Sequence, residues 1–142
     1  MAKKQKSAAD EPIALGPVVA ERKYRVGRRT VTLQLGTPRP TSWKTDYACA
    51  YRIVDGRSAK LFRAFGVDGF QSLELALLHA RSTLMYCYPK LTWAGGQAPG
   101  DVGLSAPLPT YLGLPFARRV EKQVAAAVLA ETRRQSRARA VR

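Results

Sequence analysis

Apolar and polar positions alternate from Val18 onward. Val18, Ala20, Tyr24 and Val26 fall on one side and Glu21, Lys23 and Arg25 on the other, with Arg22 the one cation on the apolar side. A period of two predicts a half-buried strand. Gly27-Arg28-Arg29 turns the chain, and Val31, Leu33 and Leu35 alternate with Thr32 and Gln34 to give the returning strand of a hairpin. The stretch from Gly36 to Thr45 reads as a loop, because Pro38 and Pro40 donate no backbone hydrogen bond. Tyr47, Cys49, Tyr51 and Ile53 then share one face of a third strand, and Ala48, Ala50, Arg52 and Val54 share the other. Asp55-Gly56 is a turn dipeptide, and Ala59 to Phe65 supplies a fourth strand, which completes an antiparallel meander.

At Asp68 the period changes from two to that of a helix. Asp68 is a good N-cap residue, and Gln71 three positions on resembles the second half of a capping box. Phe70, Leu73, Ala76, Leu77, Ala80 and Leu84 recur at helical spacing, which predicts a helix over 69–87 with its apolar stripe laid across the sheet. Pro89 stops it. Leu91-Thr92-Trp93 is read as a short fifth strand, and the Gly- and Pro-bearing stretch 94–115 as irregular. A second helix is expected over 115–134, with Pro115 in its first turn and Phe116, Val120, Val124 and Val128 as its stripe. The fold class expected is therefore α+β. It comprises a four- to five-stranded antiparallel sheet covered by one helix, plus a C-terminal helix that docks beside it or projects. The expected organisation is a disordered basic arm over 1–11, an α+β domain over 12–115, and a C-terminal helix with a basic disordered tail over 116–142.

Charge adds the first hint of a partner. The chain of 142 residues holds 24 Lys and Arg against 10 Asp and Glu, a net charge of +14. Residues 12–91 carry +8 of it and residues 116–142 carry +6. Polyanions are the natural partners of such a chain, although charge can also serve solubility alone. The longest apolar run, Val124 to Ala130, is far short of the ~20 residues that span a bilayer, so no membrane partner is expected. Lys3, Lys4 and Lys6 precede an apolar run from Ile13 to Ala20, but Asp10, Glu11 and Pro12 intervene and Gly16-Pro17 breaks it, which argues against a secretory signal. Cys49 and Cys87 sit in apolar surroundings without motif spacing and are read as small buried hydrophobes, so the cytoplasm is the expected compartment.

Catalytic chemistry finds little support. His79, the single histidine, lies eight residues from Cys87, about 12 Å along a helix, too far for a Cys–His dyad. One histidine and two cysteines do not make a zinc site. Asp46, Asp55, Glu74 and Asp101 occur singly, so no acid/base pair is evident. GGQAPGDVG lacks the Gly-Lys-Ser/Thr ending of a phosphate-binding loop. No catalytic, cofactor-binding or metal-binding residue is assigned, and the protein is not expected to be an enzyme.

The stretch LGPVVAERKYRV, the prolines of GTPRP, Trp43 and Cys49 around the third strand, FGVDGFQSLELAL at the helix entry, and LGLP at Leu112 to Pro115 together resemble a family of small bacterial proteins known only as a domain of unknown function. The resemblance covers roughly residues 13–115 and leaves the basic tail outside. It implies a compact antiparallel sheet with one helix, and it carries over no catalytic residue. The helix entry has a structural explanation: Asp68 and Gln71 satisfy free N–H groups, and Asp68 would repel a phosphate there.

What the residues favour is non-catalytic binding. Arg22, Lys23, Arg25, Arg28 and Arg29 cluster in the first hairpin, and Tyr24, Trp43, Tyr47, Tyr51 and Phe62 are interleaved with cations on the same sheet. One sheet face under a helix and the other bearing cations and aromatics is a design of single-strand binders. Alternation equally allows Tyr24, Tyr47 and Tyr51 to face the core and simply pack. Nucleic acid is the expected partner, with an acidic protein as the alternative.

Overall fold

Two hairpins build the sheet. β1 (Val18–Val26) pairs with β2 (Arg29–Gly36), and β4 (Tyr47–Asp55) pairs with β5 (Ser58–Gly66), all antiparallel. β2 also pairs with β4, so the long strands lie in the order β1-β2-β4-β5. Both hairpins close through Gly-Arg: Gly27 and Gly56 take φ values of 62° and 60°, which L side chains rarely adopt. The register places the two tips at the same end of the sheet, since Val26 pairs with Arg29 and Val31 with Asp55.

The computed structural model describes residues 11–42, 45–106 and 112–140, and the chain divides into two units, Met1–Ala106 and Pro107–Arg142. The expected N-terminal arm lies outside the described residues except for Glu11, and Trp43 lies outside them as well.

α1 (Gly69–Cys87) covers one face of β4 and β5. The strand residues beneath it follow the alternation: Tyr24, Val31, Leu33, Leu35, Cys49, Tyr51, Ile53 and Ala64 are buried. From the helix come Ala76, Ala80 and Leu84, with Leu73, Leu75 and Leu77 partly buried around them. A fully buried leucine such as Leu84 contributes about 1.5–3 kcal/mol. The N-cap is as expected, with the Gln71 N–H donating to Asp68 Oδ1 at 2.8 Å, while the Gln71 side chain reaches one residue further back and accepts from the Val67 N–H at 2.8 Å.

Four expectations need correction. Phe70 is 82% exposed: it lies in the first helical turn, where Gly66 brings the backbones of β5 and α1 together with no room even for a Cβ. Leu91-Thr92-Trp93 is not a strand: Arg25 and Thr92 form one isolated bridge, with N···O distances of 2.7 and 2.9 Å. The fifth strand is instead β3 (Arg39–Pro40), in the segment read as a loop, pairing Arg39 with Ala48 and Pro40 with Tyr47. A ladder this short at a margin of the sheet tolerates a proline that donates nothing. Finally, Cys49 is buried as expected but Cys87 is exposed at the last residue of α1.

In the second unit α2 runs Leu114–Ala140, past the expected end at Arg134. Glu131 accepts from Arg134 at 2.8 Å and from Gln135 at 2.9 Å, and Arg137 and Arg139 lie in the last turn, where cations suit the helix dipole.

Candidate nucleic-acid interface

Strand alternation assigns each cation of the sheet to a face. The face opposite α1 collects Lys23 and Arg25 from β1, Arg52 from β4, Arg63 from β5 and Arg39 from β3. Glu21 is the one carboxylate of the strands on that face. At its centre Gln34 bridges two charges, donating to Glu21 at 2.7 Å while its Oε1 accepts from Arg52 Nε at 2.9 Å and Nη2 at 2.6 Å. Lys23 lies 4.0 Å from Glu21, a weak and largely exposed pairing. Arg28 and Arg57 occupy the two hairpin tips at one end of the sheet.

The expected cluster of Arg22, Lys23, Arg25, Arg28 and Arg29 is thus divided between the faces. Arg22 lies on the α1 side, over the Trp93 ring at 4.0 Å, and donates to the carbonyls of Val102 at 3.2 Å and Gly103 at 2.6 Å. Tyr24 Oη also donates to the Val102 carbonyl, at 2.9 Å. Asp101 completes this loop anchor by accepting from the N–H groups of Gln97 and Gly103, which hold its carboxyl below the usual range. Arg29 pairs with Asp55 at 3.1 Å, and Asp55 also accepts from Tyr88 Oη at 3.1 Å. Lys23, Arg25 and Arg28 remain exposed.

The aromatics divide too. Tyr24 and Tyr51 are buried on the helix side, and Phe62 stacks on Tyr51 at 5.0 Å between centroids. Tyr47 shares that side by register. Phe65 is the aromatic of the opposite face among the described residues, with the Arg63 guanidinium 4.9 Å above its ring. Arg52, which the alternation of the third strand placed opposite Tyr51, joins the cationic face, and so does Arg39, which a loop reading could not orient.

Near the other end of that face, residues 11–17 run beside Thr37–Ser42. The Thr37 N–H donates to the Pro17 carbonyl at 3.0 Å, and Arg39 Nη2 donates to the Ala14 carbonyl at 3.4 Å. The N–H and hydroxyl of Ser42 both donate to Glu11 Oε1. Beneath this segment lies a pocket of about 280 Å³. His79 is exposed on α1, eight residues before Cys87, and among the described residues no group of three or more His, Cys, Asp or Glu could hold a metal ion.

The fold is an α+β domain with an antiparallel sheet, one covered face and one cationic face. Residues 20–106 match the family model described as Domain of unknown function (DUF6968), and the chain belongs to that family. No curated protein and no solved structure matches the chain.

Proposed function

We propose that this protein is a non-catalytic binding module of the cytoplasm that holds single-stranded nucleic acid against the cationic face of its sheet. The observation that carries the reading is the segregation of charge: Lys23, Arg25, Arg39, Arg52 and Arg63 share a face whose strands supply one carboxylate, Glu21. Arg28 and Arg57 extend the positive band around the hairpin tips. With Tyr24, Tyr51 and Phe62 on the helix side, stacking is confined to Phe65, so binding runs through phosphates and tolerates any base sequence. Strands fix the backbone beneath these cations, so little backbone order is lost on binding.

The test is a salt titration of fluorescence anisotropy with a mixed-sequence oligonucleotide carrying a 5′-hydroxyl. For single strands log K falls with log salt at about 0.7 per phosphate neutralised, so replacing Lys23, Arg25 and Arg28 by Ala should flatten the slope by about two units. Unchanged binding by that variant, or no binding by the parent at low salt, overturns the reading. Binding of polyglutamate in place of the oligonucleotide would favour an acidic protein as the occupant.

A further inference from the structure

We infer that the pocket beneath residues 11–16 is a binding site for a phosphate group, formed by Arg39 and Thr41 and gated by Glu11. The pocket is lined by Arg39, Arg63, Thr37 and Thr41 over a floor of Ala48 and Ala50, with Glu11 at its rim. Thr41 is 5% exposed and its Oγ1 has no hydrogen-bond partner among the described residues. A buried hydroxyl left unpaired carries a desolvation penalty, and because Thr41 lines the pocket a turn of its side chain toward a bound ligand removes that penalty.

The arginine is positioned as well as present. Gly16, at φ 65°, lets the Arg39 guanidinium lie against the backbone, where a Cβ would come within 2.8 Å of Cζ. Among the described residues that guanidinium donates to the Ala14 carbonyl alone, over a long 3.4 Å, which leaves its other donors for a ligand. A guanidinium on one wall and a hydroxyl on another present donors in different directions, which suits a tetrahedral oxyanion better than a planar carboxylate.

The rim already holds a carboxylate. Glu11 takes both donors of Ser42, so the mouth favours negative charge but fills it from the protein's own chain. An incoming phosphate meets repulsion from Glu11 until that side chain swings away, and Glu11 therefore acts as a gate that weakens binding. This site lies at the end of the sheet face away from the hairpin tips, and the inference does not rest on nucleic acid being the partner.

The experiment is calorimetric titration of the full chain with inorganic phosphate, with acetate as the control. Arg39→Gln should weaken phosphate binding about tenfold or more, the loss of a charge-assisted hydrogen bond. Thr41→Val should weaken it several-fold while leaving the folded chain as stable or more stable in urea, because it removes an unpaired buried hydroxyl. Glu11→Gln should tighten it. Anisotropy with 5′-phosphorylated and 5′-hydroxyl forms of one oligonucleotide separates the sources: a preference for the phosphorylated form that Arg39→Gln and Thr41→Val abolish assigns the site to a chain end, and its absence beside inorganic phosphate binding assigns it to a free phosphate. Acetate binding as tightly as phosphate, phosphate affinity unchanged in both pocket variants, or no phosphate-dependent binding by the parent and Glu11→Gln chains would overturn the inference. Loss of hydroxyl-ended oligonucleotide binding in the sheet-face variant leaves it standing.

Discussion

Arg22 shows how one side chain can carry opposite meanings in sequence and in structure. Its neighbours Lys23 and Arg25 make it look like part of a phosphate-binding run, but strand alternation turns it to the other face. There its guanidinium covers Trp93 at 4.0 Å and takes two carbonyls of the loop 91–104. Hydrogen bonds of a charged donor are worth about 1.5–3 kcal/mol, so Arg22→Gln should destabilise the chain by about 1–3 kcal/mol. Trp93 fluorescence should shift to the red as the indole gains water. The same variant should keep the salt slope of the parent for oligonucleotide binding, because Arg22 lies on the face turned from the proposed interface. A slope flattened by about 0.7 with stability intact would return Arg22 to the interface.

For the elements, the question is which face of each is used. Helical spacing alone placed Phe70 and Leu84 on one stripe, yet Leu84 is fully buried and Phe70 is open to solvent. The difference is geometric: close approach of β5 and α1 at Gly66 leaves no room there even for a Cβ, whereas Leu84 in the last turn packs into the core cluster. Leu84→Ala should cost about 2–5 kcal/mol in urea unfolding, and Phe70→Ala within about 0.5 kcal/mol. Equal costs would mean that α1 is rotated about its axis from the placement described. Legibility followed the same physics. Strands, both Gly-Arg tips, the N-cap and α1 could be read because each is encoded by local period and turn chemistry. β3 could not, because two residues carry no period, and Pro40 argued against pairing. The cationic face was half legible: alternation separated Arg52 from Tyr51 and put Arg22 on the apolar side, but that Arg22 and Arg29 are engaged within the fold needed their partners Trp93 and Asp55, which lie far along the chain. The phosphate pocket was not legible, since residues 11–16, Arg39, Thr41 and Arg63 meet only once the sheet is formed.

On the scale of the whole molecule, the core contains several acids held in their neutral form. Burial pushes the Cys49 thiol up to about 11 from an ordinary 9.0, and its Sγ–H donates to the Gly36 carbonyl at 3.4 Å. Burial also raises the phenols of Tyr24, Tyr51 and Tyr88 above their usual 10.0. For each group the unfolded chain releases its proton at lower pH than the folded one. Stability therefore carries the full contribution of these groups below pH 9, and loses it as pH rises from there through the folded values. The thiol alone accounts for about 2–3 kcal/mol between pH 9 and 11. The self-repulsion of a chain carrying +14 also changes in alkali. A difference measurement removes that term. Urea midpoints of the parent and Cys49→Ala, followed from pH 7 to 11, should run parallel to pH 9 and converge above it, as the parent loses what the variant never had. Thiol titration at pH 8 should count one reactive cysteine in the folded parent, exposed Cys87, and two in urea. Midpoints that stay parallel to pH 11, with both thiols reacting in the native chain, would mean that Cys49 titrates as freely folded as unfolded and that the core is open to hydroxide.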